Sequence, residues 1–344
     1  MYCRKKSIMV LFLTGLLLGP FCLSCTTKTR YFVGDQLTSD VALIDYNAKK
    51  KVKRTLVLSG GAFFGAFELG AIRYLIQEFG MQFDIVCGTS VGALIAAMIV
   101  QGDIDVAKDI WQSLDSKEDI FSPGFVENVI AKGGIYGIEP LADLVNKYIS
   151  VEKLRTSNMQ LLVGVVCLET GEFMLIDQND SNIKSFILAS TSVPGMTPAI
   201  EINGRHYVDG GLRYVMPVRQ ILDMDVEEII MVSAFNLEEK IAAAESKNLE
   251  SFRKGDFENI THFVERGLQI VMHQLLWGPI DFALAMAKYK GIDVKLIQPA
   301  RGVLRKGAFE FDTEEICLAI KHGYEQAQKA FPMFVSNISR DSWP

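Results

Sequence analysis

Two glycine-rich segments, residues 60–65 and 88–92, constrain the fold of this chain more than any other feature. Each lies between a short apolar run, typical of a buried strand, and a stretch with the apolar spacing of a helix. Strand, tight turn and helix repeated in this order predict a three-layer α/β domain with a central, mostly parallel sheet. The predicted strands are residues 56–58 and 83–87, and the predicted helices are residues 66–79 and 91–100.

The remaining chain continues this alternation and then changes character. Residues 161–168 and 173–176 flank a Glu-Thr-Gly-Glu segment and are predicted to form a hairpin. Within the C-terminal region, residues 268–286 are unusually apolar, which predicts either a lid or membrane-facing surface, or a helix pair packed on the core. Further predicted elements are a helix over residues 182–189 and strands over residues 201–208, 228–233 and 293–298.

The N-terminus has the pattern of an export signal. Basic residues at positions 4–6 precede an apolar run over residues 8–18, which is short for a membrane span. Cys25 follows Ser24 in a sequence that resembles a bacterial lipobox, and lipid on Cys25 would anchor an exported lipoprotein to a membrane. The alternatives are an ordinary signal peptide, which gives a secreted or periplasmic protein, and an uncleaved N-terminal anchor.

Charge and cysteine content exclude several functions. The net charge is −6, without the basic face that nucleic-acid binding needs. Beyond residue 25 the cysteines are Cys87, Cys167 and Cys317, too few for a disulfide framework and without the spacing of a zinc site. Cys87 and Cys167 lie in apolar runs and are predicted to be small core residues. No metal and no cofactor are expected.

Ser90 is the first candidate catalytic residue. It is the centre of Gly88-Thr89-Ser90-Val91-Gly92, a G-x-S-x-G sequence between a predicted strand and a predicted helix. A nucleophile elbow needs glycines because its turn is sharp, and it exposes the serine at the end of the strand. The N-terminus of the following helix favours negative charge there. The alternative is a tight turn with a capping serine.

The earlier glycine turn, with the sequence GGAFFG over residues 60–65, offers backbone amides. The amides of Gly60, Gly61 and Ala62 at such a turn can form an oxyanion hole, in which each donor contributes on the order of 10²–10³ in rate. A dinucleotide-binding turn is the alternative, but Ala62 takes the place of the middle glycine.

Asp209 is the second candidate catalytic residue, because a serine nucleophile needs a base within hydrogen-bond reach. The sequence Asp209-Gly210-Gly211 suits a tight turn that exposes the carboxylate, although Asp-Gly is also frequent in ordinary turns. A histidine base is the alternative, and none of the four histidines lies in a recognisable motif. They are His206, His262, His273 and His322.

Together and in this order, these motifs resemble the patatin-like phospholipase family. The sequences around Ser90 and Asp209 and the turn over residues 60–65 match its nucleophile elbow, dyad aspartate and oxyanion loop. Residues 189–195, ASTSVPG, are similar to its A-S-x-x-x-P segment. The resemblance implies a Ser90–Asp209 dyad without a histidine, a lipid ester substrate and no metal requirement.

The resemblance covers about residues 56–233 and gives the predicted domain organisation. A patatin-like catalytic domain is followed by a mainly helical C-terminal extension that packs on it. The predicted segments are a signal peptide over 1–24, a tether over 25–54, the catalytic domain over 55–235 and the extension over 236–344.

The chain departs from the family pattern at two places. Ala62 and Phe64 stand where the oxyanion loop usually has a third glycine and a basic residue. The backbone N–H of Ala62 can still act as a donor unless that position requires a positive φ. Tyr214 and Val215 stand where paired asparagines often precede a proline. Phe63, Phe64 and Phe67 are candidates to line an acyl groove, with a core position as the alternative for the last.

The expected function is hydrolysis of carboxylic esters of phospholipids or other glycerolipids through an acyl-enzyme. The expected partner is a membrane surface. A carboxylate is a weak base near its ordinary pKa of about 4, so Asp209 is expected to be partly desolvated. The alternatives are a general esterase with a Ser-His-Asp triad and a surface lipoprotein that binds lipid without turnover.

Overall fold

The parts of the chain that the computed structural model describes are residues 52–123, 134–236, 278–301, 303 and 312–332. For residues 52 and 53 the description covers the backbone alone, and all described residues belong to one structural unit. Outside them lie the predicted signal peptide, Cys25, most of the tether, His262, His273 and residues 268–277 of the apolar stretch, so these predictions stay predictions.

The strands form one mixed sheet. They are β1 (Val52–Leu58), β2 (Ile85–Thr89), β3 (Gln160–Cys167), β4 (Phe173–Asp177), β5 (Ile200–Ile202), β6 (Arg205–Asp209), β7 (Val226–Val232) and β8 (Asp293–Ile297). Hydrogen-bonded neighbours follow the path β5-β6-β3-β2-β1-β7-β8, and β4 pairs with the edge of β3 opposite to β2 and β6. The pairs among β1, β2, β3, β7 and β8 are parallel, whereas β4 and β6 run antiparallel to β3. The prediction of a mostly parallel sheet is confirmed.

The helices lie between these strands and after β8. They are α1 (Gly65–Arg73), α2 (Val91–Val100), α3 (Ile104–Gln112), α4 (Glu139–Tyr148), α5 (Val151–Thr156), α6 (Ile183–Ser190), α7 (Val218–Ile221), α8 (residues 278–290) and α9 (Thr313–Ala330). A π-helical segment, Tyr74–Glu78, extends α1. Within the described parts of the chain, no helix combines the length and the apolar character needed to cross a bilayer.

Apolar residues cover both faces of the sheet, as expected for parallel strands with helices on both sides. Along β1, Leu56 and Leu58 belong to one core cluster, and Val57 between them belongs to a second. Residues of α1, α2, α6 and α9 contribute to the first cluster, and residues of α7 and α8 contribute to the second. Helices therefore pack on each face, and the three-layer prediction is confirmed.

The chain beyond residue 235 contributes to the same sheet and core. β8 pairs in parallel with β7 and corresponds to the strand predicted over residues 293–298. Two glycines let α9 approach α1 closely: a Cβ at Gly70 would lie 1.8 Å from the Ile320 carbonyl oxygen, and one at Gly323 would lie 1.9 Å from that of Phe67. Helix α9 is thus packed directly on α1, the helix that follows the first glycine turn.

The segment predicted as a single strand over residues 201–208 is instead a hairpin of β5 and β6. Asn203 and Gly204 join the two strands, with φ values of 52° and 74°. An Asn-Gly pair with both residues at positive φ is typical of a tight hairpin turn. The signal is present in the sequence, and the prediction of one continuous strand was wrong because it overlooked it.

Candidate active site

Ser90 lies at the turn between β2 and α2. Its φ is 57° and its ψ is −131°, a backbone conformation that a non-glycine residue adopts only when its surroundings impose it. The turn leaves no room beside it: a Cβ at Gly88 would lie 2.2 Å from the Gly92 carbonyl oxygen, and one at Gly92 would lie 2.4 Å from that of Ser59. This geometry fits a nucleophile elbow.

A buried hydroxyl holds the backbone of the elbow. The Ser90 N–H donates to Ser190 Oγ at 2.9 Å, and Ser190 Oγ donates to the Gly164 carbonyl oxygen at 2.7 Å. Ser190 is fully buried at the end of α6. It therefore ties the strained serine to β3. From the sequence Ser190 could be recognised only as part of the ASTSVPG motif, because its contact with Ser90 spans 100 positions of the chain.

The pairing of β3 brings Asp209 next to Ser90. Because β4 occupies one edge of β3, the other edge pairs first with β2 and then with β6. Thr89 lies opposite Gly164, and Asp209 lies opposite Val165, the next residue of β3. The end of β2 and the end of β6 therefore meet, which places the two candidate catalytic residues together.

Asp209 is buried, with 5% of its surface exposed. Its carboxylate accepts hydrogen bonds from the Ser90 hydroxyl and from the Gly211 N–H, the latter at 2.7 Å. Burial raises the pKa of Asp209 from 3.8 to about 6, and the two hydrogen bonds oppose part of this rise. The backbone N–H of Asp209 is itself fixed on the Ser192 carbonyl oxygen at 2.9 Å. The carboxylate is thus a stronger base than an exposed aspartate and is still ionised at neutral pH.

The turn after β1 lies against the nucleophile, since a Cβ at Gly60 would lie 2.9 Å from Ser90 Cβ. The prediction assigned the Gly60 amide to an oxyanion hole, but this N–H donates to the Val215 carbonyl oxygen at 2.9 Å and is engaged within the protein. The amides of Gly61 and Ala62 have no acceptor among the described residues. These two amides are therefore the candidate oxyanion donors.

Ala62 has a φ of 47°, in the left-handed region. The position where the family pattern has a glycine therefore does have a positive φ, the condition under which an alanine was expected to fit poorly. An L residue in this region carries a cost of roughly 1–2 kcal/mol. The chain keeps the backbone path of a glycine turn and retains strain at Ala62.

The other departures from the family pattern are accommodated by aromatic packing. Phe64, in place of a basic residue, packs edge-to-face on Phe235 with ring centroids 5.8 Å apart. Tyr214 packs in the same way on Phe173 at 5.0 Å. The neighbouring Val215 contributes only its carbonyl oxygen to the first turn, a group that every residue type provides.

The three phenylalanines considered for an acyl groove occupy different environments. Phe63 and Phe67 are buried and belong to the main core cluster, so Phe67 takes the core position named as its alternative. Phe64 is half-buried and packs at the edge of this cluster. It is the one of the three with surface left for a ligand.

The two described histidines have other partners. His206 is exposed, and its Nδ1 lies 2.8 Å from Glu169 Oε1. His322 Nε2 accepts the Ala300 N–H at 3.0 Å. In the described parts of the chain, the side-chain partner of the Ser90 hydroxyl is the buried aspartate. The same parts contain no group of three or more His, Cys, Asp or Glu side chains able to hold a metal ion.

A serine on a strained strand-to-helix turn, a buried aspartate bonded to it and a second turn with available amides form, on an α/β domain, the arrangement that a serine hydrolase requires. Residues 56–222 match the family described as patatin-like phospholipase, and the domain they form belongs to that family.

Uncharacterised NTE family proteins of Mycobacterium bovis and Mycobacterium tuberculosis are similar to this chain, each with 23% identity over 178 residues. The match covers 52% of this chain and 48% of each relative, so the chain spans about half the length of the curated relatives it matches. Among solved structures, VipD from Legionella pneumophila is 16% identical with a TM-score of 0.42, over 82% of this chain and 67% of that chain.

Proposed function

We propose that this protein hydrolyses carboxylic esters of phospholipids or other glycerolipids through a Ser90–Asp209 dyad and an acyl-enzyme. The observation that carries the proposal is the hydrogen bond between the Ser90 hydroxyl and the buried Asp209 carboxylate at the strained end of β2. The patatin-like phospholipase family of the domain supports a lipid as the source of the ester.

In the first step Asp209 accepts the hydroxyl proton while Ser90 Oγ forms a bond to the ester carbonyl carbon. The carbonyl oxygen gains negative charge, and the amides of Gly61 and Ala62 donate hydrogen bonds to it. The bond between the carbonyl carbon and the alcohol oxygen then breaks. The alcohol leaves with the proton from Asp209, and the acyl group stays on Ser90.

In the second step water replaces the serine. Asp209 accepts a proton from the water as its oxygen attacks the acyl carbon, the bond to Ser90 Oγ breaks, and Oγ regains the proton. A pKa near 6 suits both steps, because the carboxylate takes a proton more readily than an exposed aspartate and still releases it at neutral pH.

The test is fatty acid release from mixed phospholipid–detergent micelles by the full chain and by Ser90→Ala and Asp209→Asn. Both variants are expected to lose at least about 10³-fold in kcat with unchanged thermal unfolding. Asp177→Asn is the matched control and should stay active, because Asp177 is also buried but pairs with Leu162, nearer the other end of β3.

The outcome that contradicts the proposal is an inert wild-type protein. A folded chain that releases no acid from phospholipids, lysolipids, triglycerides or short esters, and that a fluorophosphonate does not label at Ser90, would favour the lipid-binding alternative. A chain that is labelled at Ser90 but does not hydrolyse phospholipids would be consistent with a reactive serine and would exclude only phospholipids as the substrate.

The triad alternative is tested by replacing all four histidines with glutamine. We expect turnover to persist in the folded variant, because Asp209 bonds directly to Ser90. Abolished turnover with an intact fold would contradict the dyad and identify one of the histidines as the base.

We also propose that the protein is exported and held at a membrane surface by lipid on Cys25. The basic residues at positions 4–6, the apolar run over residues 8–18 and the Ser24-Cys25 pair support this. Palmitate supplied to bacteria that express the full chain should label the wild type and not Cys25→Ser, which should also leave the membrane fraction. An unlabelled wild-type chain would contradict the anchor.

A further inference from the structure

A buried glutamate is bonded to the residue that leads into the first glycine turn. Glu68, in the first turn of α1, has no exposed surface. It takes no part in the proposed acyl-transfer steps. Its Oε1 accepts two hydrogen bonds from Ser59, one from the backbone N–H at 2.8 Å and one from the hydroxyl at 2.7 Å. Ser59 follows the last residue of β1 and precedes the turn.

Ser59 connects several parts of the site. Its Oγ accepts the Ala234 N–H at 2.8 Å, just after β7. Its carbonyl oxygen lies against the nucleophile helix, where a Cβ at Gly92 would come within 2.4 Å of it. The next residue, Gly60, lies against Ser90. By fixing Ser59, the glutamate fixes the junction of β1, β7, α2 and the turn.

Stability alone does not account for this glutamate. Its second oxygen, Oε2, is buried without a hydrogen-bond partner in the described structure. A buried polar atom in this state is unfavourable, and an apolar side chain of similar volume would avoid the penalty. A carboxyl group kept under these conditions points to a role for Oε1, the oxygen bonded to Ser59.

We propose that Glu68 is a positioning residue, which through Ser59 holds residues 60–62 in the conformation that directs the amides of Gly61 and Ala62 to the oxyanion. The inference rests on the function proposed above and adds one side chain to its machinery. Glu68 touches neither substrate nor Ser90, and it acts only through the turn.

Glu68 performs this role as a neutral acid. Burial raises the pKa of Glu68 from 4.5 to about 8, and the hydrogen bonds from Ser59 oppose part of the rise. The carbonyl oxygen of a neutral carboxyl group still accepts both bonds from Ser59. A glutamine, which carries a carbonyl oxygen at the same place, should therefore replace it.

The first measurement is kcat and KM on a soluble ester for full-length Glu68→Met and Glu68→Gln. Methionine keeps an unbranched side chain and removes the acceptor, so kcat should fall about 10- to 100-fold with KM within about twofold. Glutamine should stay within about threefold of wild type. Glu78→Met is the matched control, since Glu78 is exposed at the end of the same helical segment, and it should behave as wild type.

Amide hydrogen exchange gives a readout that does not depend on turnover. The N–H groups of Gly60 and Phe64 are bonded to the carbonyl oxygens of Val215 and Gly61, not to Glu68, so they report on the shape of the turn. Both should exchange at least about tenfold faster in Glu68→Met than in Glu68→Gln. Unchanged exchange, or a kcat equal to that of wild type, in Glu68→Met overturns the proposal.

The two proposals fail in different ways. An inert wild-type protein contradicts the dyad, whereas faster exchange in Glu68→Met would still establish that the glutamate holds the turn. If Glu68→Met does not fold, Ser59→Ala breaks the hydroxyl link from the other side and is judged by the same two measurements. A Ser59→Ala protein with wild-type exchange and kcat overturns the proposal.

Discussion

The turns after β1 and β2 share an unusual backbone conformation and use it differently. Ala62 and Ser90 have φ values of 47° and 57°, where non-glycine residues are strained. The Ser90 amide is bonded to Ser190, and its side chain is presented to Asp209. The Ala62 amide has no acceptor among the described residues, and its side chain carries no functional group. One turn presents a hydroxyl group, and the other presents a backbone N–H.

This difference explains why a sequence change has different consequences in the two turns. In the proposed mechanism the identity of residue 90 decides the chemistry at the elbow, and close contacts require the flanking glycines. At the first turn the backbone path matters, and alanine follows the same path as glycine at an energetic penalty. Replacement of a glycine by Ala62 therefore affects stability more than chemistry.

The largest effect that tests this comparison is expected from a methyl group added at Gly88. In Gly88→Ala the new Cβ would lie 2.2 Å from the Gly92 carbonyl oxygen, so the elbow must shift. Because a displacement of about 1 Å can cost about 100-fold, kcat/KM on a soluble ester should fall about 100-fold or more.

The control for this variant is Gly102→Ala. Gly102 has a φ of 84° but no atom within 4 Å of an added Cβ, so this change should lower stability and spare turnover. An active Gly88→Ala protein would show that the elbow tolerates displacement, and the contrast between the turns would be lost.

The elbow could be predicted from the sequence because its determinants are local. The apolar strand, the two glycines and the helix all lie within residues 83–100. The relation of Asp209 to Ser90 has a different origin, since it depends on two strands that share one edge of β3. The sequence alone supplied that relation only through resemblance to a family.

The details that the sequence did not indicate are contacts between distant positions. The Gly60 amide is engaged by the Val215 carbonyl oxygen, and no pattern of side chains encodes a backbone contact across the sheet. The close approach of α9 to α1 depends on Gly70 and Gly323. Nothing in the sequence around these two glycines indicates that they face another helix. The local pattern of apolar residues and glycines thus predicted the strands and helices, whereas tertiary packing determined which backbone groups come into contact.

A second prediction concerns pH. In the proposed mechanism the Ser90 hydroxyl depends on a partner that titrates, Asp209, whereas the amides of the first turn do not titrate. The proton-accepting form of Asp209 is the carboxylate, and its pKa is raised to about 6. As pH falls below 6, kcat/KM should decrease about tenfold per pH unit, whereas an aspartate at its ordinary pKa would hold activity to about pH 4.

The measurement is kcat/KM on a neutral, soluble ester between pH 4 and pH 8, in wild type and in the protein without histidines. The same profile in both assigns the ionisation to the carboxylate. A profile that stays flat to pH 4.5 would show that the carboxylate is not desolvated in solution.

A smaller effect is expected when the support of the elbow is removed. In Ser190→Ala the Ser90 N–H and the Gly164 carbonyl oxygen both lose their buried partner, which costs about 1–3 kcal/mol of stability. We expect kcat to fall less than about tenfold, because the tight glycine contacts still shape the turn. Ser192→Ala is the control, since among the described residues that hydroxyl bonds to the Leu188 carbonyl oxygen and not to the elbow. Equal stability of the two variants would contradict a role for Ser190 in holding the strained residue.

The smallest effect, and the sharpest test of the contrast, is Ala62→Gly. The change removes a Cβ from a residue at a φ of 47° and leaves the backbone N–H in place. Relief of strain should exceed the added freedom of the unfolded chain, so the free energy of unfolding in urea should rise by up to about 1 kcal/mol. Turnover should stay within about threefold of wild type, because the donor is the backbone. Ala66→Gly, inside α1, should instead destabilise by about 1 kcal/mol. If Ala62→Gly destabilises as well, the first turn is not strained, and the two turns differ less than their φ values indicate.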